Sequence, residues 1–373
     1  MIVTDVVIIG GGVAGASLGY RLAGHCRAVI VEAEDQPGYH STGRSAALYT
    51  TTYGQPIIRS LTISGREFFL SPPPGFTDVP LMRPRKVLWI GRADQDASLQ
   101  ALTEAMAADR SAAACSIAEA LDLCPILDPD YVAGAILEPG GFDIDVHALH
   151  QGYLAGFRRA GGALATGGRV RAVSRSDDGW EVATQSETYS CRVVVNAAGA
   201  WADEVASLAG ATPVGLVPKR RTALTFDPPP GVATADWPCV LDVDETFYFK
   251  PEVGRILASP ADETPSAPCD AQPEELDIAL TVDRVEAATT LSVRRIVSRW
   301  AGLRTFAGDK TPVVGMDPDA PGFFWLAGQG GYGIMTSPAL SALAAALILD
   351  EPISEADYGA GVTPEALSPA RFR

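Results

Sequence analysis

The β-branched run at residues 5–9 breaks off at Gly10-x-Gly12-x-x-Gly15, and Gly19 follows one helical turn further on. Glycines at these spacings leave few options. One permits a tight turn, one lets backbone N–H groups approach a pyrophosphate, and one lets a helix lie close against the strand. The following helix points the positive end of its dipole at the same place. The spacing predicts a strand over 5–9, a helix over 14–23 and a second strand over 28–32. Glu32 ends that second strand 22 residues after Gly10, where a carboxylate accepts hydrogen bonds from an adenosine ribose and disfavours a 2′-phosphate. Together these residues read as a dinucleotide site on a βαβ unit.

Two later segments share this character. Residues 193–196 (VVVN) run into Ala197-Ala198-Gly199, and residues 323–327 run into Gly328-Gln329-Gly330-Gly331-Tyr332-Gly333. Continuous apolar runs of this length suit strands buried on both faces. All three read as strands of one parallel sheet whose carboxyl ends face a ligand. Between them the texture changes. Residues 71–90 are proline-rich and then strand-like, 95–123 read as polar, alanine-rich helix, 213–260 alternate as an antiparallel sheet does, and 272–292 look helical. The expected fold is α/β, with a Rossmann-like nucleotide-binding domain built from residues 1–50, 140–214 and 295–373. An α+β substrate domain with a mainly antiparallel sheet is inserted as residues 51–139 and 215–294. A chain of 373 residues is long enough for two such cores.

Hydrophobic residues make up 47% and charged residues 20%, the balance of a large packed core and the opposite of disorder. The 45 acidic and 29 basic residues leave a net charge of −16, which repels phosphate backbones and argues against a nucleic-acid partner. The apolar start is interrupted by glycines and lacks a basic leader, and the late apolar run at 339–349 falls well short of the ~20 residues that span a bilayer. No integral membrane segment and a cytoplasmic location are therefore expected. Six cysteines without a CxxC pair read as free thiols. His147 and His150, near Asp143 and Asp145, read as the first turn of a helix capped by Asp145, so no metal is expected.

The 328–333 run matches the same glycine pattern, yet no second strand with an acidic end follows the helix expected at 338–349. Two readings stay open. One is a plain strand-to-helix connection. The other is a turn whose N–H groups and helix dipole face a flavin ring and stabilise the charge it gains on reduction. A nucleotide fold completed only by the last third of the chain suits a large ligand threaded between interleaved domains, which favours FAD over NAD.

With these pieces in place the chain resembles the D-amino-acid oxidase superfamily of FAD-dependent oxidoreductases. The likeness is carried by GGGVAGAS (10–17), Glu32, GYHSTGRSA (38–46), VVVNAAGAW (193–201) and WLAGQGGYGI (325–334). Within the superfamily the bacterial D-arginine dehydrogenases look nearest, through PKRRTA (218–223), DETFYFKP (244–251) and WAGLRTF (300–306). The resemblance implies non-covalent FAD. Gly10, Gly12, Gly15 and Glu32 would bind its adenosine diphosphate half, Arg44, Ser45 and Ala46 would lie along the pyrophosphate and flavin, and Val170 would meet the adenine. Gly302, Gly330, Gly331, Tyr332, Gly333 and Ile334 would line the isoalloxazine. No cysteine follows Cys269, which removes the late thiol that the sarcosine oxidase relatives use for covalent attachment.

Taken alone, Arg221 and Arg304 read as surface ion pairs, and Tyr53 and Tyr248 as ordinary packing. The resemblance instead implies that Arg221, Tyr248, Arg304 and the Gly331 backbone hold an amino-acid carboxylate, while Tyr53 sits on a loop covering the site. A guanidinium fork matches a carboxylate and stays charged at any working pH. The implied activity is oxidation of a free D-amino acid to its imino acid, with oxygen or a quinone as the eventual electron acceptor. A secondary-amine oxidase of the sarcosine or glycine type is the alternative, and a non-catalytic flavin-binding protein a further one. Three positions depart from the D-arginine pattern. The strand after the Pro84-Arg85 pair reads Lys86-Val87-Leu88 with no carboxylate, Leu48 replaces a histidine, and Met335 replaces a glutamine. Such a wall leaves a cationic side chain unpaired, so neutral or apolar substrates are expected.

Overall fold

The computed structural model describes residues 1–107 and 111–373. Its first sheet has six strands in the order Ala163–Ala165, Ala28–Val31, Val6–Ile9, Val193–Asn196, Phe323–Ala327 and Val313–Met316. The three strands expected to share a sheet are adjacent and parallel in it: Val6 pairs with Val193, and Val194 with Phe323. Only Val313–Met316 runs antiparallel, against Phe323–Ala327.

Strand periodicity explains why these runs are apolar throughout. Ile8, Ile30, Val195 and Phe324 point into one core, under the helices Val13–Leu22, Val146–Arg159 and Gly333–Leu349. Their neighbours Val7, Val29, Val194 and Trp325 point into a second core. That core is closed by the helix Ala202–Leu208 and by a four-stranded sheet, Ile2–Val3, Thr188–Cys191, Gly179–Ala183 and Ala172–Ser176. Each core removes a whole sheet face from water, the dominant favourable term for a fold of this kind.

A larger sheet, antiparallel except where Cys239–Asp242 runs beside Val87–Gly91, is centred on the long strands Val217–Phe226 and Ile296–Phe306. One face packs on the helices Glu275–Ala288 and Ile117–Leu123. The other presents Trp89, Leu241 and Tyr248 toward the first body of the molecule. Ile296–Phe306, grouped by sequence with the nucleotide-binding segment 295–373, hydrogen-bonds into this sheet over its whole length. Among the described residues no helix is long and apolar enough to cross a membrane.

Two helices differ from expectation. The stretch 95–123 is not one helix: Asp96–Ala107 is followed by an edge strand, Ala113–Cys115, and a second helix begins where Ser116 and Glu119 form a reciprocal capping box. Residues 108–110 of that stretch lie outside the described residues. The helix expected to start at Pro338 starts at Gly333 instead. Proline cannot donate to the Ile334 carbonyl four residues back, but Ser337 Oγ does so at 2.9 Å, which keeps the helix intact through the proline.

Candidate functional site

A cleft of about 270 Å³ opens at the carboxyl ends of the parallel strands, between the two sheets. It is lined by Gly10, Gly12, Glu32, Arg44, Ser45, Ala46, Val170, Gly302, Gly330, Gly331, Gly333 and Ile334, among others. Gly15 does not face it. A β-carbon there would lie 1.9 Å from the Gly10 carbonyl oxygen, so its role is the close helix–strand approach. Tyr332 does not face it either; it is buried between Tyr53 and Phe306.

The glycine loop is held from several sides. Glu32 accepts hydrogen bonds from Gly11 N–H (2.7 Å) and Glu34 N–H (2.9 Å), so its carboxylate fixes the loop besides facing the cleft. His150, on the helix that Asp145 caps as expected, shares a 2.8 Å hydrogen bond between Nε2 and the Gly11 carbonyl. Burial lowers the His150 pKa, so the neutral imidazole donates through Nε2. Thr42 Oγ1 accepts from Val13 N–H at 2.9 Å. Gly10, at φ +107°, brings its Cα against the Ala197 carbonyl, where a β-carbon would sit at 2.4 Å. A glycine-bounded cleft at a helix N-terminus, with a carboxylate at the second strand's end, fits the pyrophosphate and ribose of FAD. Arg44 behaves differently from expectation. Its guanidinium turns to the protein, donating to the Ala271 and Ala301 carbonyls (3.0 and 2.9 Å) and pairing with Asp270. Its strong charge is therefore spent on joining distant segments.

Beside the cleft lies a smaller cavity of about 70 Å³, sharing Ser45, Ala46, Arg221, Tyr248, Arg304, Gly331 and Ile334 with it. Strand register explains how the arginines meet. Arg221 lies directly opposite Gly302, and Lys219 opposite Arg304, so the two guanidinium-bearing residues are diagonal neighbours on one sheet face. A β-carbon on Gly302 would lie 3.3 Å from Arg44 Cβ, so the glycine leaves room for the Arg44 side chain.

Arg221 Nε donates to the Asp262 carbonyl at 2.8 Å, and its Nη2 lies 3.6 Å from Glu263. Burial and the neighbouring Arg304 both push the Arg221 pKa down. Arg304 is less satisfied: Tyr53 Oη, at 3.3 Å, is its only side-chain hydrogen-bond partner among the described residues, and it has no ion pair there. Tyr53 in turn packs on Tyr332, ring centroids 5.1 Å apart. Buried Arg221 and half-buried Arg304 are thus neighbouring cations, the first paired with Glu263 and the second without an ion pair among the described residues.

The remaining wall is mostly apolar: Leu48, Leu241, Phe247, Ile334 and Met335. Lys86 is exposed and lies outside it, while Lys250 contributes a buried stem whose ammonium is paired with Asp143 and Glu252 at 2.8 Å. Sequence reasoning missed Glu245, the only carboxylate lining the cavity among the described residues, whose pKa burial raises. It also missed that Ala47, Glu245 and Ala261, three of the six non-glycine residues with positive φ among the described residues, line this one cavity. Backbone held in that region concentrates at functional sites, and nothing in the residues' identity announced it.

These features define a dinucleotide cleft coupled to a small carboxylate-sized cavity. The family model for FAD-dependent oxidoreductases of the DAO type matches residues 5–347, and the chain belongs to that family. FAD is accordingly its cofactor, and the chain is an FAD-dependent oxidoreductase. Glycine oxidase of Geobacillus kaustophilus is 24% identical over 92% of both chains. The FAD-dependent oxidoreductase domain-containing protein 1 of Xenopus laevis is 32% identical over 44% of this chain, and mouse dimethylglycine dehydrogenase 26% over 57%. The chain covers only 36% and 27% of those two relatives' lengths. Among solved structures, the G. kaustophilus glycine oxidase superposes with a TM-score of 0.84 at 21% identity, covering 96% of this chain and 98% of that one. L-proline dehydrogenase from P. horikoshii superposes with 0.85 at 19% identity, covering 100% and 98%. At such identities these two likenesses concern the fold.

Proposed function

We propose that the chain oxidises a free D-amino acid at the Cα–N bond, favouring neutral or apolar side chains. The observation that carries this reading is the pair Arg221 and Arg304, side by side in one cavity, with no carboxylate hydrogen-bonded to Arg304 among the described residues. A substrate carboxylate supplies that missing anion, with Tyr53 and Tyr248 beside it. Holding one end of the substrate in this way fixes the orientation of Cα. FAD held in the cleft would supply the hydride acceptor for this oxidation, which gives an imino acid that water converts to a 2-oxo acid and ammonia. Leu48, Leu241, Phe247 and Met335 receive the side chain. Glu245 supplies a counter-charge for the substrate ammonium, and its raised pKa suits it to take up a proton. The D preference is supported by the family resemblance in the motifs around Arg221, Tyr248 and Arg304. No cysteine lines the cleft among the described residues, which supports non-covalent FAD. On this reading residues 51–139 and 215–294 form the substrate side, the protein works in the cytoplasm, and oxygen or a quinone reoxidises the cofactor.

A second reading, oxidation of glycine or a secondary amine such as sarcosine, is favoured by the full-length likeness to glycine oxidase and by the small cavity. One experiment separates them. The FAD-loaded protein is mixed anaerobically with D-leucine, D-phenylalanine, D-proline, D-arginine, glycine and sarcosine, and loss of flavin absorbance is followed. Fast reduction by the apolar D-amino acids supports the first reading, and reduction by glycine and sarcosine alone supports the second. If none of them reduces the flavin, both readings fall.

A further inference from the structure

Glu138 closes the strand Gly134–Glu138 and is 1% exposed, yet no ion pair to it is found among the described residues. Its carboxylate is satisfied entirely by one short loop. Oε2 accepts from Thr50 Oγ1 and Thr52 Oγ1, both at 2.5 Å, and Oε1 accepts from Thr51 N–H (2.9 Å) and Thr51 Oγ1 (3.2 Å). The same loop is laced internally: Thr50 and Thr52 hydroxyls lie 2.9 Å apart, and Trp89 Nε1 reaches Thr52 Oγ1 at 3.4 Å. Burying a carboxylate without a cation is costly, and four donors on two oxygens are what keeps it tolerable. A plain structural contact could have used an apolar residue at this position of the sheet at less cost.

What the loop carries gives the arrangement its use. Thr50 itself lines the substrate cavity, and the residue after Thr52 is Tyr53, the hydrogen-bond partner of Arg304. Gly54 follows at φ +87°, its Cα close to Ile58 and the Tyr332 ring, and the helix Pro56–Ser64 begins two residues later. The loop is thus pinned over three consecutive residues just before Tyr53, and just after it by Arg59 Nε donating to the Gly54 carbonyl at 3.0 Å.

We propose that Glu138 is a positioning residue of the carboxylate site, holding the Thr50–Thr51–Thr52 segment so that Tyr53 stays over Arg304. The backbone leading into Tyr53 is then held to one geometry relative to Arg304. This rests on the function proposed above for Arg304, but the anchoring itself does not.

The test uses the FAD-loaded protein and its variants Glu138→Ala, Glu138→Gln and Thr52→Val. Hydrogen exchange of the backbone amides in residues 50–54 reads the anchor, and perturbation of flavin absorbance by propanoate reads carboxylate binding. Glu138→Ala is expected to speed exchange of Thr51 N–H at least roughly ten-fold and to raise both the propanoate Kd and the substrate KM by about ten-fold. FAD content and the limiting rate of flavin reduction change far less. Glu138→Gln recovers part of the loss, because its carbonyl oxygen still accepts from Thr51 N–H. Thr52→Val, which keeps the shape and removes one donor, gives a smaller shift in the same direction. Wild-type exchange across 50–54 in Glu138→Ala overturns the proposal. So does loss of FAD and thermal stability in both Glu138 variants with no effect of Thr52→Val on the propanoate Kd. If the wild-type protein binds no propanoate and no amino acid, the proposed function fails, and the exchange data alone decide whether Glu138 holds the loop.

Discussion

Replacing Gly331 by alanine probes the proposed carboxylate clamp without touching its charges. The Gly331 φ lies outside the left-handed region, so the backbone accepts alanine without strain. The space does not. A β-carbon there would lie 2.8 Å from Arg304 Nη1, 2.9 Å from Cζ and 3.1 Å from Nε. Comfortable separations begin near 3.5 Å, so the guanidinium must slide by roughly half an ångström or more. The flexible end of the side chain makes that shift, so stability changes little. The fork, however, no longer meets a carboxylate with both arms. Losing one charge-assisted hydrogen bond costs about 1.5–3 kcal/mol. At about 1.4 kcal/mol per factor of ten, propanoate Kd and substrate KM are expected to rise roughly 10- to 150-fold. Arg304→Met, which removes the fork, sets the upper limit on the same scale. Stopped-flow reduction separates KM from the limiting rate, and released FAD is quantified, because Gly331 also lines the cofactor cleft. Wild-type propanoate affinity in Gly331→Ala, with affinity lost in Arg304→Met, would refute this displacement of the guanidinium.

Three further outcomes are expected. Glu32→Ala removes the acceptor for Gly11 N–H and Glu34 N–H and should weaken FAD binding by roughly 10- to 100-fold, read as the Kd of FAD for the apoprotein, with the fold retained. Burial holds the folded-state pKa of His150 below its ordinary value of 6.5, so below that pH the unfolded chain binds the extra proton first. The contribution to stability is therefore present above about pH 6.5 and is lost as pH falls further. Urea unfolding at pH 7.5 and 5.0 should show a larger loss in the wild type than in His150→Gln, which keeps a donor for the Gly11 carbonyl. Val253, 95% exposed at φ +46°, forms with Gly254 a two-residue hairpin turn between Glu252 and Arg255. Asparagine tolerates that conformation far better than a β-branched residue, so Val253→Asn should gain about 0.5–1 kcal/mol, roughly 1–2 °C in thermal midpoint by calorimetry.

The parallel sheet was legible because strands buried on both faces must be apolar at every position, and a glycine-rich turn marks each ligand-facing end. The helix start was misplaced because proline favours a first turn, and the compensating Ser337 hydroxyl is a local detail that periodicity does not carry. The long alanine-rich stretch looked helical by propensity, yet pairing of Ala113–Cys115 with Gly134–Glu138 overrode it. The two arginines could be named from motif likeness, but their meeting depends on the register of two strands about eighty residues apart. Glu138, an isolated acid at a strand end, carried no readable signal, and Glu245 lay within the 244–251 motif without a role to mark it. Only the tertiary fold brings Glu138 to the Thr50–Thr52 loop and Glu245 to the cavity. Arg44 shows the converse, since a motif position beside the cofactor cleft spends its guanidinium on the Ala271 and Ala301 carbonyls.

The central parallel sheet takes its fifth strand from Phe323–Ala327, so a nascent chain has Val193–Asn196 with one edge bare until residue 323 has been made. The flavin pocket cannot close until that late strand leaves the ribosome and docks. Cofactor loading thus waits for that strand, and a product stalled before residue 323 would display a sticky, aggregation-prone border in place of a half-finished enzyme.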